Sequence, residues 1–211
     1  MRKRVFTILT ILSAIVTIIV HYSGPDWIIY VFKPLTTILI LTIAITGGAE
    51  STPAYKIAIV IGLFFSLAGD VLLMLPADLF MFGLISFLIA QVCYIIAFTS
   101  GIGFNFKLPS LVPVLVYGVI VYALLSENLG GMRVPVIVYM LVILTMVWQA
   151  WERRHALGDR AARFAFIGAA LFVLADTSLA WNRFRGEFAA ERALTLIIYY
   201  TAQWFIAGSV V

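Results

Sequence analysis

Between Lys56 and Leu75 the chain reads KIAIVIGLFFSLAGDVLLML, a run whose charges are Lys56 at its start and Asp70 within it. A helix of about 20 residues rises about 30 Å, the thickness of a bilayer's hydrocarbon core. The run is therefore a membrane span with a carboxyl group inside it. An ionisable group placed there is costly and points to function.

The rest of the chain repeats the pattern. Of 211 residues, 64% are hydrophobic and 11% charged, and the mean hydropathy is +1.10. A soluble domain carries about a quarter charged residues, so these values exclude an ordinary soluble enzyme, a disordered chain and a coiled coil. Eight spans are expected: Val5–Tyr22, Trp27–Thr46, Lys56–Leu75, Leu79–Thr99, Pro109–Ser126, Arg133–Trp151, Ala161–Asn182 and Ala193–Val210. The connections are short and rich in turn formers, such as Ser23-Gly24-Pro25-Asp26, Gly47-Gly48 and Gly130-Gly131. The expected fold is an all-α, polytopic bundle of eight transmembrane helices, with residues 1–211 forming a single integral membrane domain. The first apolar run lacks a small-residue cleavage site and reads as a span, not as a signal peptide.

Lys and Arg placement sets an orientation. With the N-terminus in the cytoplasm, nine basic residues (Arg2, Lys3, Arg4, Lys56, Lys107, Arg153, Arg154, Arg160, Arg163) fall on the inner side. Four (Arg133, Arg183, Arg185, Arg192) fall on the outer side, and Lys33 lies within a span. Both termini are then cytoplasmic, in a cytoplasmic membrane. The net charge of +4 reports these loops and not a nucleic-acid partner. Trp27, Trp148, Trp151 and Trp181 fall near span ends and read as an interfacial belt.

Lys33, Asp70 and Asp176 are the ionisable residues inside spans. Counted at 1.5 Å per residue, each lies about 8–9 Å inside the outer boundary, which suggests one shared site. A structural Lys–Asp ion pair is the plainer reading. Thr36 and Thr37 share the helix face of Lys33. Gln91 and Tyr94 are close on span four, Tyr199 and Gln203 on span eight, and Arg183 stands nearly two turns beyond Asp176. Singly, such Tyr and Gln residues more often join helices. Ser66-Leu67-Ala68-Gly69-Asp70 echoes Val173-Leu174-Ala175-Asp176, 106 residues on. A Gln follows in the next span each time, Gln91 and Gln203, and a Pro precedes in the span before, Pro34 and Pro135. This fits two parallel four-helix repeats with both Asp residues facing one cavity.

Other chemistries lack their residues. His21 and His155 fall at span ends on opposite sides, so they cannot share a metal. Cys93 has no second Cys to pair with and is expected in helix packing. Nucleophile-elbow, phosphate-loop and dinucleotide motifs are missing. Carboxylate acid–base work assisted by a cation remains, with no metal and no organic cofactor required. A small proton-coupled carrier or a lipid-binding membrane protein is the alternative. The inner halves of the Asp-bearing spans are nearly all apolar, which favours a one-sided pocket and so an enzyme.

Four motifs in order carry a further likeness: Lys33-Pro34-Leu35-Thr36-Thr37, then Leu67-Ala68-Gly69-Asp70-Val71-Leu72-Leu73-Met74-Leu75-Pro76, then Ala175-Asp176-Thr177-Ser178-Leu179-Ala180-Trp181-Asn182-Arg183-Phe184, and Tyr199-Tyr200-Thr201-Ala202-Gln203. Together they resemble the YhhN family, which includes the mammalian lysoplasmalogenases. One departure is Gln91, where the family pattern often has His, and this puts a proton relay through that position in question. The resemblance implies hydrolysis of the vinyl ether bond of a lysoplasmalogen, a membrane lipid substrate, to a fatty aldehyde and a glycerophospho-ethanolamine or -choline. That reaction protonates the β-carbon and adds water to the resulting oxocarbenium ion. It uses a protonated acid and an ionised carboxylate, which Asp70 and Asp176 would supply, in either order, with Lys33 holding a charge. Arg183 with Asn182 and Arg185 would receive the phosphate. Tyr199 and Gln203 would orient water or the glycerol hydroxyl, and Tyr200 and Gln91 would join them in binding substrate.

Overall fold

The computed structural model describes residues 2–48, 51–186 and 190–210. Eight helices follow in order: α1 Arg2–Ser23, α2 Asp26–Thr46, α3 Pro53–Met74, α4 Phe80–Thr99, α5 Leu108–Leu125, α6 Arg133–Leu157, α7 Arg160–Arg185 and α8 Glu191–Gly208. Two short 3₁₀ turns link α5 to α6. Among the described residues all regular structure is helical, because hydrocarbon offers the backbone no other partner.

Seven of these helices, α1 to α7, are long and apolar enough to cross a membrane. The eighth expected span falls on α8, which is helical but less apolar. Glu191 and Arg192 open it and Tyr199, Tyr200 and Gln203 interrupt it. Those polar side chains face inward: Tyr199, Tyr200, Gln203 and Glu191 are all buried. The helix ends also differ from the expected limits. α6 runs on to Leu157, so Glu152 and His155 belong to a helix rather than a loop.

Helix limits follow local chemistry. Thr52 accepts from the Tyr55 amide and Pro53 opens α3, while Asp159 Oδ1 accepts from the Ala162 amide at 2.7 Å to cap α7. Gly158 between α6 and α7 adopts φ +65°, where a side chain would be strained. Inside the helices, hydroxyls bond the carbonyl one turn back, as Thr36 does to Phe32 at 2.8 Å, which satisfies them without water.

The core joins α2, α3, α4, α6, α7 and α8. Glycines set the closest approaches. A Cβ on Gly62 would lie 2.4 Å from the Tyr94 ring, and one on Gly69 would lie 2.6 Å from the Phe87 ring. At Gly168 it would meet the backbone of α8, 2.9 Å from Ala202 O and Ile206 N. The small-residue seams thus let aromatic rings and a neighbouring backbone sit against the helix axis. α5 is the loosest helix, burying only Gly118 and Leu125. Lys3 Nζ donates to Val210 O at 3.2 Å, so the two ends of the chain lie on one face of the bundle; that face is called the terminal face below. Large apolar side chains such as Ile8, Ile11, Phe64 and Val119 cover the outside.

Trp148 departs from the expected belt. It is 5% exposed, with Phe104 and Phe106 edge-on to its indole at ring-centroid separations of 5.6 and 5.3 Å. Trp27, by contrast, is exposed.

Candidate active site

α3 carries Asp70 one turn beyond Ser66, on the face turned to α2 and α8. Its Oδ2 accepts from the Thr37 hydroxyl at 2.7 Å and from the Tyr199 hydroxyl at 2.9 Å. Only 2% of Asp70 is exposed. Gly69 beside it explains the Gly-Asp pair, since the Phe87 ring occupies the space a Cβ would need. From α8 the network runs on: Tyr94 donates to Gln203 Oε1 at 3.0 Å, and Ser66 and Tyr94 share a 3.2 Å hydrogen bond.

α7 carries Asp176. Its Oδ2 accepts from Gln91 Nε2 of α4 at 3.2 Å and from the Tyr139 hydroxyl of α6. Its Oδ1 accepts from no donor among the described residues. Asp176 and Tyr139 border a slot of about 60 Å³ whose other walls are almost wholly apolar, among them Phe80, Phe87, Ile143 and Phe184.

The two carboxylates line no common cavity among the three described. Asp176 faces the slot, and Asp70 borders none of these three cavities. Phe87 lines the slot and packs on Tyr199, the donor to Asp70, with ring centroids 5.9 Å apart. Of the two Asp residues expected to face one cavity, Asp176 alone borders one of these three. The donors are nevertheless reciprocal. Asp70 takes one bond from α2 and one from α8, and Asp176 takes one from α6 and one from α4.

The remaining expected residues fall into two groups. Gln91, Tyr199 and Gln203 join the carboxylate network. Gln91 Oε1 and Gln203 Nε2 find no partner among the described residues. Tyr200 is buried with its hydroxyl turned toward Thr17 and Thr36 of the first two helices, without a well-formed hydrogen bond. Lys33 forms no ion pair among the described residues. Asn182 donates to Glu191 of α8. Arg183 donates through Nη2 to both oxygens of Asp78, at 3.1 and 2.8 Å, and lies 4.7 Å over the Phe80 ring at the end of the slot. That hydrogen bond holds the Asp78 carboxyl below its usual value of 3.8. Arg185 donates to Leu124 O and pairs with Glu127 at 3.5 Å.

Sequence reasoning missed Tyr139, the hydroxyl bonded to Asp176. A single Tyr in an apolar span carries no signal by itself. The usable clue was spacing: Tyr139 stands 102 residues after Thr37, close to the 106 between the two Asp residues.

Known proteins resemble the chain along nearly its whole length. A profile of the YhhN family matches residues 28–210. The chain is 31% identical over 198 residues to the uncharacterized membrane protein YhhN of Escherichia coli, covering 94% of each. It is 31% identical over 198 residues to the lysoplasmalogenase TMEM86A of Bos taurus, covering 90% of this chain and 80% of that one. With the lysoplasmalogenase TMEM86B of Sus scrofa it shares 28% identity over 190 residues, 88% of this chain and 76% of that one. No solved structure matches it.

Proposed function

Since the chain belongs to the YhhN family, we propose that it hydrolyses the vinyl ether bond of a lysoplasmalogen, releasing a fatty aldehyde and a glycerophospho-ethanolamine or -choline. The observation that carries this reading is Asp176: a half-buried carboxyl on the wall of an apolar slot, with two donors on Oδ2 and none on Oδ1 among the described residues. Such a group can deliver a proton to carbon in a site that holds little water.

One carboxyl suffices for both proton transfers. Protonated Asp176 gives its proton to the β-carbon, the carbon–carbon double bond supplies the electron pair, and an oxocarbenium ion forms beside the new carboxylate. That carboxylate then takes a proton from water as the water adds to the α-carbon. The product is a hemiacetal, and Asp176 is protonated again. Breaking the carbon–oxygen bond to glycerol, with the hydroxyl proton passing to the glycerol oxygen, yields aldehyde and alcohol. Tyr139 and Gln91 hold the carboxylate while the cation exists. The unpartnered Gln91 Oε1 is suited to accept from the attacking water. Asp70 is the second negative centre, its charge held by Lys33 and its position fixed by Thr37 and Tyr199. Arg183 uses one nitrogen on Asp78 and keeps its other donors for the lipid phosphate.

Eight crossings in two duplicated, parallel halves belong to the same reading, as does a single membrane-embedded unit with both ends in the cytoplasm. The reciprocal donors support duplication. Each carboxylate takes one bond from the second helix of its own half and one from the fourth helix of the other. The shared terminal face supports an even number of crossings.

The test is aldehyde release by purified protein from lysoplasmalogen, with a saturated alkyl-ether lysolipid and an ester lysolipid alongside. Release from the vinyl ether alone is expected. Asp176→Asn, with its melting temperature retained, should lower kcat about 10²–10⁴-fold. Full activity in that variant would overturn the mechanism.

A further inference from the structure

A second, larger cavity lies below the slot, toward the terminal face. It is an open groove of about 1150 Å³ between α5, α6 and α7. Its middle is apolar, formed by residues such as Pro113, Val114, Val147, Phe166 and Ala170. Its far end is polar. There Lys107 Nζ pairs with Glu152 Oε2 at 3.2 Å, and the Ser110 hydroxyl donates to the other Glu152 oxygen while accepting from Trp148 Nε1 at 3.0 Å. Glu152 is 2% exposed. The loop that brings Lys107 here is pinned by Gln149, whose amide bonds both the N–H and the carbonyl of Asn105, at 3.1 and 2.9 Å.

Slot and groove are neighbours. Tyr117, Leu144 and Val173 line both. At this narrowing the Tyr117 hydroxyl is 2.7 Å from Thr177 Oγ1, a bridge from α5 to α7. The path from Asp176 to the Lys107–Glu152 pair therefore runs past one tyrosine.

Its length can be read from α6. Tyr139 bonds Asp176 at one end and Glu152 marks the other, thirteen residues later in the same helix. At 1.5 Å per residue that is about 20 Å. An extended covalent chain advances about 1.2 Å per bond, judging by the reach of a polypeptide, so about 20 Å holds a linear chain of about sixteen carbons. In the other direction Arg183 stands seven residues from Asp176 on α7, about 10 Å away. A glycerophosphate arm would fit that shorter side.

We propose that the α5–α6–α7 groove binds the single hydrocarbon chain of the substrate, threaded past Tyr117, and that the Lys107–Glu152 pair sets its length limit at about sixteen carbons. This rests on the function proposed above only for what happens at Asp176. The chain site itself makes a separate claim about binding. Methylenes inside the groove leave water or lipid for a close-fitting wall, whereas those reaching the ion pair would have to displace charged groups from one another.

Ala170 lies six residues below Asp176 on α7 and its small side chain borders the groove. Ala170→Trp would block the groove about 9 Å along, room for about seven or eight carbons. Two measurements test this on full-length protein in nanodiscs: kcat/KM across vinyl-ether lysolipids of increasing chain length, and competition by saturated alkyl-ether lysolipids against a radiolabelled one. In the wild type both should improve by up to about fourfold per added methylene and level off near sixteen carbons. In Ala170→Trp both should level off near eight, with long chains weakened at least tenfold. Val114→Phe, on the opposite wall, should shorten the profile in the same sense and serves if the tryptophan variant fails to fold. Ile15→Trp, in a separate crevice lined by α1 and α8, should leave the profile unchanged. Unaltered chain-length profiles in folded Ala170→Trp and Val114→Phe would overturn the proposal. If no vinyl ether is cleaved but the alkyl-ether profile still shortens in Ala170→Trp, the chain site stands and the vinyl-ether reading falls.

Discussion

Both hydrogen bonds to Asp176 fall on one oxygen, one from Gln91 and one from Tyr139. The Tyr139 hydroxyl reaches Oδ2 from α6, while the ring closes one wall of the slot. Hydrogen bonds to a charged group contribute about 1.5–3 kcal/mol. If Tyr139 holds the carboxylate during the cationic step, Tyr139→Phe should lower kcat about ten- to a hundredfold while leaving KM nearly unchanged, because the phenyl ring keeps the wall intact. Steady-state kinetics on the alkenyl substrate would show this split, and a change confined to KM would contradict it. Asp70 presents a different environment. With Thr37 and Tyr199 on one oxygen, it does not border the slot that Asp176 faces.

Glycine spacing, more than hydropathy, decides how the helices dock. Gly168 meets α8 backbone at 2.9 Å where a Cβ would stand, whereas Gly131 in the α5–α6 connection has nothing within 4 Å. Overpacking a tight contact costs about 1–3 kcal/mol. Gly168→Ala should lower the melting temperature of the detergent-solubilised protein measurably, and Gly131→Ala should leave it within error. The positions of α1 to α7 were legible in the sequence because a 20-residue apolar run has few other homes. Asp70 and Asp176 were legible for the converse reason: a carboxyl in such a run is an anomaly. What could not be read was which side chain turns toward which. Hydropathy has no azimuth, so the placing of the Phe87 ring against the slot and against Tyr199 left no trace. Nor did the role of Tyr139, since tyrosines in spans commonly join helices. The expected sixth span stops at Trp151, leaving Glu152, Arg153, Arg154 and His155 beyond its end. Those residues form the last turns of α6, and Glu152 is buried where Lys107, just before α5, and Ser110 of α5 meet it.

Across the whole molecule, contacts between distant parts of the chain complete each local site. The Arg183–Asp78 pair, 105 residues apart in sequence, ties the α3–α4 connection to the end of α7. Asp78 is exposed, so the pair is screened by salt and adds little to stability. Its pH dependence has a definite sign. The folded pKa is depressed below 3.8 by the Arg183 hydrogen bond, so the contribution is present above the unfolded value and lost as pH falls through the folded one. The small difference in melting temperature between wild type and Asp78→Asn should therefore stay constant through neutral pH and shrink only on strong acidification. A difference that grew in acid would reverse the assignment. The groove between α5 and α7 has a further meaning at this scale. Its flank, along Pro113 and the 47% exposed Leu174, is open on the lipid-facing side. A ligand that arrives through such a flank is counted in two dimensions. Its effective concentration is a mole fraction among neighbouring lipids, so inert lipid acts as a diluent even when the aqueous amount is fixed. A water-insoluble product leaving the same way would stay in that plane and never meet the bulk solvent.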